Sequence, residues 1–65
     1  MKQNLVATPK AAEYLGVRPN TLEGWRIRGE GPRYRKIGRL VRYTTDDLDD
    51  YINEQARRST SQVAA

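Results

Sequence analysis

Residues 8–28 read TPKAAEYLGVRPNTLEGWRIR, and the punctuation of that stretch decides the fold. Thr8-Pro9 opens a helix: Thr8 is a good cap, and Pro9 suits the first helical position, where its missing N–H costs nothing. Gly16 supplies the left-handed residue that ends this helix. Pro19 opens a second helix over residues 19–28, with Arg18 as a poor cap, and Gly29 stops it. On a 3.6-residue period Ala12 and Leu15 share the inward face of the first helix, flanked by Ala11 and Tyr14. Leu22 and Trp25 form the inward stripe of the second. Asn20, Glu23, Gly24 and Ile27 point away from that stripe, with Thr21 and Arg28 on one flank and Arg26 on the other.

Two helices that cross closely at a fixed turn need five residues in register. A small residue stands at the crossing, a glycine four positions later makes the turn, and an apolar residue plugs the corner. Two apolar residues spaced by three then hold the second helix. Ala12, Gly16, Val17, Leu22 and Trp25 meet all five requirements without a gap. This is the spacing of a helix-turn-helix. An ordinary packed helix pair is the plainer alternative, and such motifs also serve as protein-interaction modules.

Downstream, Gly29-Glu30-Gly31-Pro32 is a turn-rich loop. Tyr34-Arg35-Lys36-Ile37 and Leu40-Val41-Arg42-Tyr43 are two β-prone runs joined by Gly38-Arg39, which predicts a tight type II′ hairpin. The register sets Tyr34 opposite Tyr43, Arg35 opposite Arg42, Lys36 opposite Val41 and Ile37 opposite Leu40. Tyr34, Val41 and Tyr43 then share the core side. Thr44-Thr45-Asp46-Asp47 starts a third helix, with acids in the first turn where the helix dipole favours them. Leu48, Tyr51, Ile52 and Gln55 carry it to residue 56 or 57. Residues 1–7 form an extended lead-in whose Leu5 and Val6 reach a core. Residues 58–65 read as a loose tail, leaving 1–57 as the domain. The expected fold is α+β, mostly helical: a helix-turn-helix, a two-stranded antiparallel wing and a C-terminal helix.

Composition narrows the function. Sixty-five residues, 37% of them apolar, make one small domain that hides only ~60% of its unfolded surface. There is no cysteine and no histidine, so disulfides, Cys or His metal sites and His-based acid–base chemistry are excluded. No cofactor, metal or enzymatic activity is expected of so short a chain. No signal peptide or membrane span is visible, and a cytoplasmic protein is the default. The net charge of +4 is unevenly spread. Residues 1–43 hold ten Lys/Arg against Glu13, Glu23 and Glu30; residues 44–65 hold Arg57 and Arg58 against four aspartates and Glu54. A basic body with an acidic C-terminal segment suits a polyanion on one side.

The hairpin sharpens this. Arg35 opposite Arg42 is a like-charge pair that costs stability in a sheet. A nearby phosphate backbone turns that cost into a gain, unless both side chains splay into water. Arg39 at the tip is placed to reach phosphate or a minor groove. Ile37 and Leu40 either support the hairpin or meet a neighbouring protomer. Trp25 reads as a core anchor rather than a base-stacking platform. Asp46, Asp47, Asp49 and Asp50 fit the helix dipole and solubility better than a calcium loop, whose glycine and ligand spacing are missing.

The runs Thr8–Val17, Thr21–Arg26, Gly31-Pro32, Lys36–Tyr43 and Asp47-Leu48 together resemble the excisionase-like branch, with its AlpA-like regulators, of the MerR-type winged helix domains. The likeness covers about residues 5–55. It implies a winged helix whose second helix lies in the major groove and whose wing contacts the backbone or adjacent minor groove. It implies a bacterial, nucleoid-bound protein that binds repeated sites cooperatively, bends DNA and steers an integrase toward excision. A small transcriptional regulator is the alternative. Two positions depart from the pattern: Arg18 stands where a Ser or Thr cap is usual, and Gly24 where a long polar or basic side chain is usual.

The expected base contacts are Asn20, Thr21, Glu23 and Arg26. The expected phosphate contacts are Arg18, Arg28, Arg35, Lys36, Arg39 and Arg42. Glu23 repels phosphate but accepts from a cytosine amino group. The expected partners are double-stranded DNA, a site-specific integrase and further copies of the chain.

Overall fold

Glycine closes both early helices in the same way. The computed structural model describes residues 4–59. It holds β1 (Leu5–Val6), α1 (Thr8–Leu15), α2 (Pro19–Ile27), β2 (Arg35–Ile37), β3 (Leu40–Thr44) and α3 (Thr45–Ser59). At the end of α1 the Gly16 N–H donates to the Glu13 carbonyl (3.1 Å) and the Val17 N–H to the Ala12 carbonyl (2.9 Å). At the end of α2 the Gly29 N–H donates to Arg26 (3.2 Å) and the Glu30 N–H to Trp25 (2.7 Å). Both are Schellman closures, and each needs the positive φ that Gly16 (77°) and Gly29 (73°) adopt. The first turns Val17 back onto the core.

The opening of α1 corrects the sequence reading by one residue. Ala7 holds the extended cap position, Thr8 is already helical, and no side chain caps this end. Arg18 caps α2 without a side-chain bond, as its chemistry dictates. The opening of α3 is properly capped: Thr44 Oγ1 accepts from the Asp47 N–H at 3.0 Å. This helix ends at Ser59, beyond the expected 56 or 57. Arg57 and Arg58 in its last turn suit the dipole, and Arg57 pairs with Glu54 at 3.8 Å. Of the expected tail, residues 60–65 lie outside the described residues.

The core is Ala11, Ala12, Leu22, Tyr43 and Leu48, all buried, with Val6, Leu15, Val17, Trp25 and Val41 packed around them. Ala11, expected at the flank of α1, is as fully buried as Ala12. The two adjacent alanines let α1 lie against α2, α3 and β3 at once. Burying Leu22, Leu48 and Tyr43 contributes ~1.5–3 kcal/mol each.

The sheet has three strands in the order β1-β3-β2, all antiparallel. The lead-in is thus a strand: Leu5 pairs with Thr44 and Val6 with Tyr43. The wing is two-stranded, as expected, but its inner strand β3 is anchored on both edges. Its register is the expected one, with Arg35↔Arg42, Lys36↔Val41 and Ile37↔Leu40. Gly38 has φ 65° and Arg39 keeps a negative φ, the sign pattern of a type II′ turn. Tyr34 lies just before β2, its ring 6.2 Å from that of Tyr43. The molecule is a winged helix-turn-helix.

Candidate nucleic-acid interface

The outward face of α2 carries Asn20, Thr21, Glu23 and Ile27, all exposed. Nothing among the described residues covers them. Ile27 is 82% exposed, far more than a helical isoleucine retains when it serves a core. Helical period aims Ile27 outward, and an apolar residue on that outward stripe is the sequence signal for it. The inward face holds α2 to the body through Leu22 and through Trp25, whose ring lies 5.7 Å from Tyr51. Trp25 is the expected core anchor.

The loop after α2 fixes where the wing begins. Gly31 has φ 83°, and a Cβ there would meet the Trp25 side chain at 3.0 Å. Only glycine satisfies both conditions. Pro32 is buried behind it.

Arg26 turns toward the root of the wing rather than out with Glu23. Its guanidinium lies 5.7 Å from the Tyr34 ring centre and makes a long 3.5 Å hydrogen bond to the Tyr43 hydroxyl. It links α2 to the wing and helps to set the angle between them.

The like-charge pair on the wing is relieved within the chain. Arg35 reaches the carboxylate of Asp47, Nη2 to Oδ2 at 3.7 Å. That oxygen is buried with no hydrogen bond of its own, so the guanidinium is its main compensation. Arg42 donates from Nη1 to the Val41 carbonyl at 2.8 Å. Arg18, Lys36 and Arg39 are exposed and make no ion pair among the described residues. Arg28 is exposed and pairs with Glu30, Nε to Oε1 at 3.4 Å. Ile37 and Leu40 flank the tip, half-exposed.

The acidic helix is tied down behind this surface. Tyr14 donates its hydroxyl proton to Asp49 Oδ1 at 2.6 Å, joining α1 to α3. This bond raises the Tyr14 phenol above its ordinary value, with burial and the charges of Asp49 and Asp46 adding to it. Two of the four aspartates thus have tertiary partners that a local reading of the helix start does not supply. Among the described residues no cluster of acids is arranged to hold a metal ion. No helix there is long and apolar enough to cross a membrane.

An unobstructed helix of polar and apolar side chains, beside a basic hairpin held at a fixed angle, defines a winged helix-turn-helix binder of duplex DNA. The family described as Helix-turn-helix domain matches residues 6–56, all six elements included but for the ends of β1 and α3. The chain belongs to that family and is a DNA-binding helix-turn-helix protein whose partner is double-stranded DNA. No curated protein matches it.

Proposed function

We propose that the protein is an excisionase, a recombination directionality factor that binds repeated duplex sites cooperatively, bends them and directs a partner integrase toward excision. The observation that carries this reading is the unequal equipment of its two DNA-facing elements. The outward face of α2 includes Glu23, which repels phosphate, and Gly24, which has no side chain. The wing presents Lys36, Arg39 and Arg42, and Arg18 stands beside the N-terminus of α2. Such a protein holds the backbone more firmly than it reads bases. A single domain contacts few base pairs, so site selection then falls to several copies acting together. The half-exposed Ile37 and Leu40 supply an apolar edge that a neighbouring copy would cover. The resemblance of the chain to excisionases supports the integrase as partner and a bacterial cytoplasm as setting.

Asn20, Thr21 and Glu23 are the proposed base contacts. Arg18, Lys36, Arg39 and Arg42 are the proposed backbone contacts, with Arg35 shared between phosphate and Asp47. Arg26 serves the interface chiefly by holding α2 against the wing. With about five phosphates neutralised, log K falls against log salt with a slope of roughly −4.5.

The same surface suits an AlpA-like transcriptional regulator, because the resemblance rests on motifs common to both roles. Excision of a cognate element by its integrase, measured with and without this protein, separates them. Stimulated excision with tandem footprints across the attachment region is expected. Unchanged excision together with one protected site at a promoter overturns the excisionase reading.

A further inference from the structure

Gly24 leaves a notch in the middle of the outward face of α2, and a side chain from the next turn fills it. A Cβ built on Gly24 would meet Arg28 Nη1 at 3.3 Å, with Nη2 and Cζ at 4.0 Å. Helical side chains lean toward the N-terminus, so the guanidinium of residue 28 is carried back over position 24. It is held there from behind. Arg28 Nε faces Glu30 Oε1 at 3.4 Å, and Glu30 is itself fixed by its 2.7 Å backbone bond to Trp25 in the Schellman closure. An exposed ion pair of this kind adds little to stability, so folding does not explain the arrangement. With Nε turned to the carboxylate, the two Nη groups remain as a fork over Gly24.

Charge alone assigns Arg28 to phosphate. Its placement points elsewhere, and we propose that Arg28 is a base-reading residue that recognises guanine through N7 and O6 in the major groove. Glu30 is its positioning residue, and Gly24 is the space it needs. Guanine presents two acceptors on its major-groove edge, and a guanidinium fork matches them with two parallel donors. The inference rests on the reading that α2 enters the major groove. It adds that the missing side chain at 24 is replaced by one arriving from 28.

The test selects duplexes from a randomised pool with the full chain and then measures affinities as a function of salt. The selected sites are expected to share a guanine whose replacement by 7-deazaguanine, which lacks the N7 acceptor, weakens binding about tenfold. Arg28→Lys keeps the salt slope but loses that preference, and is indifferent to 7-deazaguanine at that position. Gly24→Ala melts at a higher temperature, because alanine suits a helix better, yet loses part of the preference as its methyl displaces Nη1. A merely structural role for Gly24 would leave the base preference untouched.

Two results overturn the assignment while leaving the groove reading intact. One is a selected consensus with no guanine sensitive to 7-deaza substitution. The other is an Arg28→Ala variant that weakens all duplexes equally and makes the salt slope shallower by about one, the signature of a phosphate contact. If no duplex is preferred over any other, the groove placement of α2 falls and takes this proposal with it.

Discussion

The body of the molecule on one side, and α2 with the wing on the other, treat polar and apolar groups differently. In the body, α1, α3 and β3 pair what they bury or tether. Tyr14 meets Asp49, Asp47 meets Arg35, and Thr44 caps α3, while Ala11, Ala12, Tyr43 and Leu48 close over one another. On α2 and the wing, Ile27, Ile37 and Leu40 stay exposed, and Arg18, Lys36 and Arg39 have no ion-pair partner among the described residues. A chain of 65 residues has little stability to lose. Leu5, Tyr14 and Ile52 of the body are also partly exposed, at 40–48%, but Ile27 at 82% stands apart, and neither it nor the unpaired cations of α2 and the wing help the chain to fold. Stability and binding therefore reside in different parts of the chain, and substitutions can separate them.

The largest effect on folding is expected at the joint between the two regions. Gly31→Ala forces a residue with a side chain into φ 83° and drives its Cβ to 3.0 Å from Trp25. The strain costs about 1–3 kcal/mol and lowers Tm by roughly 5–20 °C in a domain of this size. Trp25 is the one tryptophan, so its emission reports the displacement directly. An unchanged Tm and spectrum would mean that the loop relaxes freely and that the wing is not held to α2 through this contact.

A smaller effect tests the tether within the body. Tyr14 holds its proton more tightly in the fold than in the unfolded chain, because it donates to Asp49. Its contribution to stability is therefore fully present below the unfolded phenol value of about 10 and is lost as pH rises through the raised folded value. Tyr14→Phe is expected to be slightly less stable at neutral pH and to show a weaker alkaline decline than the parent chain. Unfolding curves collected from pH 7 to 11 make the comparison, and parallel curves for the two proteins would remove the bond from the account.

The parts of this fold that were legible in the sequence are those decided by neighbours a few residues apart. Gly16 and Gly29 announced both helix ends because no other residue adopts their φ cheaply. The Gly38-Arg39 turn sets the wing register, and with it each pair between β2 and β3. The outward positions Asn20, Glu23, Gly24 and Ile27, with Thr21 on their flank, follow from helical period. What escaped depends on distance along the chain. Leu5-Val6 is too short to show a strand period, and only its pairing to Thr44 and Tyr43 makes it one. The reach of Arg35 to Asp47, of Arg26 to Tyr34 and Tyr43, and of Tyr14 to Asp49 joins residues that no local pattern links. Helical period and hairpin register therefore placed these side chains on their elements, while the division of the arginines into tethered and unpaired ones needed the tertiary structure.

That division gives the sharpest separation of the two regions. Replacing Arg39 and Arg42 together by alanine removes one exposed cation and one whose hydrogen bond is to the neighbouring Val41 carbonyl. It also relieves the repulsion between Arg42 and Arg35, which stand opposite each other across the hairpin. Folding stability is expected to change by no more than about 0.5 kcal/mol, as for surface substitutions generally. Binding should respond quite differently. Each lost phosphate contact removes about 0.9 from the dependence of log K on log salt, so the slope becomes shallower by roughly 2 and affinity falls for all duplexes alike. Titrations of parent and variant at several salt concentrations, on a selected and an unselected duplex, measure both. If affinity falls on the selected duplex alone, the wing reads bases or groove shape, and the contrast between a gripping wing and a reading helix is wrong. If stability falls by several kcal/mol, the wing arginines belong to the body after all.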